Sequence, residues 1–134
     1  MQSMEATHCP PKIFIVEDSV AIRERLVQAL SARASAVVVG QAETASQAIA
    51  GILQTQPDCV VLDIHLQASS GITVLREVHE QLPKVVFVVL TNHSGTQYRR
   101  MCMAAGASYF FDKSTEVGRV KDVIAGLTAG AANN

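Results

Sequence analysis

Short apolar runs in this chain stop, one after another, at acidic or polar residues. Ile13–Val16 ends at Glu17-Asp18, Cys59–Leu62 at Asp63 and Val85–Leu90 at Thr91, and the less uniform Tyr109–Phe111 is soon followed by Lys113. Unbroken Val/Ile/Leu runs of this length are the mark of strands buried on both faces, from which parallel sheets are built. In an open parallel sheet, ligands bind beyond the carboxyl ends of the strands, where the strand order reverses. Separated segments therefore bring three carboxylates, a hydroxyl and an ammonium to one small site. That set suits Mg²⁺ and a phosphoryl group.

Helical periodicities fill the gaps between the runs. After strand one (Lys12–Val16), Ser19 is placed to cap a helix with Ile22, Leu26, Ala29 and Leu30 on one face. Strand two is read as Ala36–Gly40. The next helix starts at Thr44-Ala45-Ser46-Gln47, which fits a capping box, and carries Ala45, Ala48, Ile49, Ile52 and Leu53. Pro57-Asp58 breaks before strand three. The third helix shows Ile72, Leu75, Val78 and Leu82 and is ended by Pro83, and the fourth shows Tyr98, Met101, Cys102 and Ala105 with Gly106 as its stop. The last shows Val117, Val120, Ile124 and Leu127. This alternation predicts an α/β fold, a parallel sheet with helices on both faces joined by right-handed crossovers.

The chain's 134 residues suffice for one domain with a core and fall short of two. The expected division is a loose tail at 1–11, a domain over 12–128 and a small, polar, frayed end at 129–134. With 49% hydrophobic residues, 17% charged and net charge −1, the chain reads as a globular protein, neither disordered nor a nucleic-acid binder. No segment reaches the roughly 18 apolar residues of a membrane span. The first residues lack the basic start and apolar stretch of a secretory signal. Three cysteines, two in apolar stretches, suggest a reducing compartment, the cytoplasm. Cys9 beside His8 has no second Cys/His pair at zinc-ligand spacing.

Mg²⁺ takes near-octahedral oxygen ligands and keeps several waters, so one or two carboxylates and a phosphate suffice. Asp18 and Asp63 are the expected direct ligands, a backbone carbonyl just after strand three is a third, and Glu17 acts through a bound water. A metal-neutralised Asp63 can accept a phosphoryl group as a carboxylate nucleophile. Lys113 pairs with one phosphoryl oxygen, and the Thr91 hydroxyl donates to another. Singly, each is an ordinary strand-end or surface residue; together, at four strand ends, they specify a site. Other classes fit less well. A dehalogenase-type phosphatase needs a second Asp two residues after Asp63, where His65 stands. A dinucleotide fold needs Gly-x-Gly-x-x-Gly after strand one, where the chain has Glu17-Asp18-Ser19. A flavin carrier wants a hydroxyl-and-glycine phosphate loop in that place. An interaction module independent of phosphorylation has less need of Asp63 and Lys113.

From about Lys12 to Leu127 the chain resembles the response-regulator receiver domains of two-component systems, and among them the stand-alone chemotaxis regulators. The resemblance rests on Glu17-Asp18, on Asp63 at the end of Pro57–Asp63, on Gly71 eight positions later, on Thr91, on Gly106-Ala107-Ser108 and on Asp112-Lys113-Ser114. It implies a flavodoxin-like doubly wound (βα)5 fold with strand order 2-1-3-4-5. It also implies phosphorylation of Asp63 by a sensor histidine kinase or histidine phosphotransfer protein, with the His65 carbonyl completing the Mg²⁺ ligands. Such a domain is not a dedicated enzyme, although it hydrolyses its phosphate slowly.

The implied switch moves Thr91 toward the phosphate and turns the aromatic three before Lys113, Phe110, inward. It would be read by a partner at the fourth helix, fifth strand and fifth helix, where Arg99 and Arg100 are expected to point outward and free. The output is a downstream protein, an output domain of a longer DNA-binding regulator, or a dimer formed on phosphorylation, without direct nucleic-acid contact by this segment. Some positions depart from the common pattern: Glu17 replaces an Asp, Asn92 stands where a very small residue is usual, and Gln67 and Ser114 stand where proline is frequent. With a non-proline residue at 114, the Lys113–Ser114 peptide should be trans. His65, two residues after Asp63, and His93, two after Thr91, flank the site and are placed to shield the phosphate or to make the attack of water on it depend on pH.

Overall fold

Each apolar run forms a strand. The computed structural model describes residues 10–32, 36–66, 69–93 and 95–132. Parallel strands β1 (Lys12–Val16), β2 (Val37–Ala42), β3 (Cys59–Leu62), β4 (Val86–Thr91) and β5 (Tyr109–Asp112) alternate with helices α1 (Val20–Ser31), α2 (Ala45–Thr55), α3 (Gly71–Gln81), α4 (Thr96–Ala105) and α5 (Val117–Ala132). Their order in the sheet is β2-β1-β3-β4-β5, the doubly wound arrangement expected.

Successive strand residues point to opposite faces, so the sheet carries two cores. Phe14, Val16, Val60, Leu62 and Phe110 pack on one side with Ile52 of α2, Leu75 of α3 and Cys102 of α4. Ile13, Ile15, Cys59, Val61 and Phe111 pack on the other with Leu26 and Leu30 of α1 and Val120 and Ile124 of α5. Full burial of a Val or Leu side chain contributes about 1.5–3 kcal/mol, which makes the central strands the main source of stability.

Register aligns the strand ends. Val16 lies opposite Leu62, and Leu62 opposite Val89. The next residue on each strand, Glu17 and Asp63 among them, therefore emerges at one edge. Thr91 lies opposite Asp112, immediately before Lys113.

Several element ends differ from the sequence-based expectation. β2 runs through Gly40 to Ala42, because a glycine there leaves room for the Phe14 ring: a Cβ at 40 would come within 2.5 Å of it. β4 includes Thr91, fully buried as a strand residue rather than standing in the turn. Pro11 is buried and its carbonyl accepts from the Val37 N–H, so the domain takes in a residue assigned to the tail. At the other end α5 continues to Ala132, past the boundary at 128, in keeping with the high helix propensity of its alanines.

Ser19 and Thr44 cap α1 and α2 as read, but Gln47 reaches the Glu43 N–H, not that of Thr44. Gly106 stops α4 at φ 118°, and no described peptide bond is cis, Lys113–Ser114 included. A two-residue antiparallel ladder, His65–Leu66 with Ser69–Ser70, follows β3 and has no forecast in the periodicity. The readings on residues 1–9, Gln67 and residues 133–134 lie outside the described residues. No described helix is long and apolar enough to cross a membrane.

Candidate functional site

At the carboxyl edge of the sheet Lys113 is the centre. Its Nζ lies 2.7 Å from Glu17 Oε1 and 2.7 Å from Asp63 Oδ2, so β1, β3 and β5 are joined through one ammonium. The lysine arrives there because its own N–H donates to the Thr91 carbonyl at 2.8 Å, which continues the β4–β5 ladder one residue past the strand. Asp63 is placed by a backbone bond from its N–H to the Val16 carbonyl, and its Oδ1 accepts from the His65 N–H at 3.0 Å. Gly71, at the start of α3, passes directly over this residue. Any side chain there would collide with the Asp63 carbonyl and come within 2.7 Å of Ile64 Cα. The glycine eight residues after the aspartate is thus a packing necessity of the site.

Glu17 is buried; its Oε2 accepts from the Ser19 N–H at 3.0 Å. Asp18 is half-exposed, and one carboxylate oxygen from each of Glu17, Asp18 and Asp63 lies within 4.8 Å of the others. Hard oxygen donors so grouped fit a small divalent cation. Burial raises the Glu17 pKa, with the Lys113 bond opposing. Burial pulls the Lys113 pKa down, but hydrogen bonds to Asp63 and Glu17 outweigh it and hold the ammonium charged.

Thr91 is buried at the end of β4, and its Oγ1 accepts from the His93 N–H at 3.2 Å. Phe110 is buried facing α4, whereas Tyr109 beside it is exposed on the edge strand and stacks on Phe111. Arg99 is exposed but not free, against expectation: its guanidinium lies 5.7 Å from the Phe110 ring centre and donates to the Phe110 carbonyl. Arg100 is exposed as expected. Asn92, also exposed, lines a cavity of about 410 Å³ with Lys113, Leu90, Ile22 and Val117.

His65 and His93 stack with ring centres 3.6 Å apart at 26°, and Tyr98 closes edge-on to His65 at 5.3 Å and tilted to His93 at 5.6 Å. Their positions after strand ends were legible; their stacking was not, since it depends on two loops from different crossovers. Sequence reasoning missed Arg23 altogether. It donates to the Glu17 carbonyl at 2.7 Å, to Gln41 and to Glu43. A cation one turn into the helix after an acidic pair was the available signal.

The sequence profile of the response regulator receiver domain matches residues 13–125. The DNA-binding transcriptional activator DevR/DosR of Mycobacterium tuberculosis is 34% identical over 119 residues, covering 86% of this chain and 55% of that protein. A protein-glutamate methylesterase/protein-glutamine glutaminase of Pseudomonas syringae pv. syringae is 31% identical over 106 residues, 78% of this chain and 28% of the relative. The chain thus spans about half or less of these relatives. Among solved structures, a LuxR-family two-component response regulator from Aurantimonas sp. superposes with TM-score 0.82 at 27% identity, over 90% of this chain and 86% of that one. The response regulator domain of Thermotoga maritima CheB superposes with TM-score 0.77 at 20% identity, over 93% of this chain and 98% of that one, a likeness of fold.

Proposed function

Because this chain belongs to the response regulator receiver family, the phosphoacceptor modules of two-component systems, we propose that Asp63 is its phosphorylated residue. Asp18, Asp63 and the His65 carbonyl hold Mg²⁺ in this reading, with Glu17 acting through a bound water. The observation that carries it is the double contact of Lys113 Nζ with Asp63 and Glu17, beside Asp18. Bound among these carboxylates, Mg²⁺ supplies the charge neutralisation that lets an anionic nucleophile meet an anionic phosphoryl group.

The chain's own residues do the rest. An Asp63 carboxylate oxygen attacks the phosphorus of a phosphohistidine on a sensor kinase or phosphotransfer protein. The P–N bond breaks, its electron pair leaves with the imidazole, and an acyl phosphate forms. Lys113 transfers one of its contacts to a phosphoryl oxygen, and the Thr91 hydroxyl turns from the His93 N–H to donate to another. The chain is a signalling acceptor that hydrolyses its phosphate slowly, not a dedicated enzyme, and it works in the cytoplasm. Its α4–β5–α5 face meets the downstream partner or supports a phosphorylation-dependent dimer.

A second reading, a receiver working inside a longer DNA-binding regulator, is supported by the share of DevR/DosR that the chain covers. The net charge of −1 speaks against nucleic-acid contact by the receiver itself.

Acetyl phosphate with Mg²⁺ should add one phosphoryl mass to the chain, and Asp63→Asn should abolish the gain. Equal labelling of the variant, or labelling in EDTA, would overturn the assignment.

A further inference from the structure

We infer that Arg23 is a positioning residue for the metal-binding acidic pair, an inference that rests on the Mg²⁺ reading above. Arg23 sits one turn into α1, and its side chain is only 12% exposed. Its backbone N–H donates to the Ser19 carbonyl at 2.9 Å, while its side chain folds back over the same turn. There Nη1 donates to the Glu17 carbonyl at 2.7 Å, Nε to Gln41 Oε1 at 3.2 Å and Nη2 to Glu43 Oε2 at 3.1 Å. The guanidinium therefore ties α1 to the end of β1 and to the end of β2, and its fixed fork reaches all three acceptors at once.

The turn it holds, Glu17–Ser19, carries both carboxylates of the pair. The other side of that turn is pinned by the Glu17 N–H on the Ala42 carbonyl at 3.0 Å. Glu17 and Asp18 thus project from a peptide clamped between β2 and Arg23, and near-octahedral Mg²⁺ tolerates little looseness in its donors. This also gives β2 a part in the site. Its end bears no metal-binding carboxylate, but it supplies Gln41 as an acceptor and leads into Glu43, which together hold the arginine.

The charge of Arg23 acts in the opposite sense, since a cation near the site disfavours a second one. Lysine keeps that charge but loses the fork, so Arg23→Lys isolates the positioning effect. Partners of this kind around a metal site cost 10–100-fold in affinity when removed. Titration calorimetry of Mg²⁺ into the metal-free chain should show Arg23→Lys binding about tenfold more weakly than the parent. Arg23→Ala is the second variant, and unfolding midpoints in EDTA establish that binding is measured on folded protein.

A merely structural arginine would lower the midpoint and leave the Mg²⁺ affinity of the folded variant within twofold of the parent, and that result overturns the inference. Weakened binding in Arg23→Lys at an unchanged midpoint supports it. Asp18→Asn serves as the metal-site control. If the parent itself binds no Mg²⁺, the metal reading falls and takes this inference with it. If the parent binds and Asp18→Asn does not, while Arg23→Lys equals the parent, only the inference falls.

Discussion

Lys113 is the residue whose charge joins the ends of β1, β3 and β5. Its side chain is 10% exposed and faces two carboxylates that are themselves buried. Removing one partner from a buried ion pair costs about 3–5 kcal/mol, because the remaining charge is left without compensation. Lys113→Met should therefore lower unfolding stability in EDTA at pH 7 by about 3 kcal/mol, read from urea midpoints. The sign with pH follows from the shifts. A lysine whose folded pKa is raised contributes stability fully present below its ordinary 10.5, lost only as pH climbs through the folded value. Glu17, raised by burial, opposes folding as pH rises from its ordinary 4.5. The deficit of Lys113→Met should thus shrink in acid, where Glu17 takes up a proton. A deficit that is the same at pH 4.5 and pH 7 would contradict the clamp.

At the scale of elements, the loops that follow β3 and β4 are joined by the His65–His93 stack, with Tyr98 of α4 leaning on both rings. The Asp63 turn and the Thr91 turn are thereby coupled to α4. That helix is held lightly: Cys102 is its one fully buried residue, while Met101 and Met103 are exposed. Arg99 links it to β5 through the Phe110 carbonyl and ring. An element with few buried contacts is where a local event can shift a two-state equilibrium. Beryllofluoride with Mg²⁺ should then move amide signals across residues 92–113. Shifts confined to the turn around Asp63 would mean that the chain binds the mimic without relaying it.

For the whole molecule, the doubly covered sheet makes two cores that share their strands. Cys59 lies in one and Cys102 in the other, and burial pushes their thiols up to about 12 and about 11. Thiolate is the reactive form, so at pH 8 both should resist thiol reagents in the native chain. Because each core is bounded by the same strands, neither can open far without the other, which is the structural basis of two-state behaviour in a domain this size. In a Cys9→Ser chain titrated with urea, Cys59 and Cys102 should become labelled along one coincident transition. Separate transitions would show that the two faces unfold independently.

The sequence by itself determined the order and type of every main element, and the four strand ends, of β1, β3, β4 and β5, whose polar residues gather at one edge. Both are written in local signals: apolar runs, helical spacing, caps at Ser19 and Thr44, a stop at Gly106. Strand-end residues share one edge in any parallel sheet, so Glu17, Asp18, Asp63, Thr91 and Lys113 could be assembled without coordinates. Only the tertiary structure decided what each atom holds. The Lys113 bonds span 96 and 50 residues of chain. Arg23, the His65–His93 stack and the Arg99–Phe110 contact likewise join segments whose spacing is set by register and crossovers. The boundaries moved for the same reason. β2 passes through Gly40 because Phe14, on a neighbouring strand, needs the space a side chain would take, and no window along β2 contains that fact.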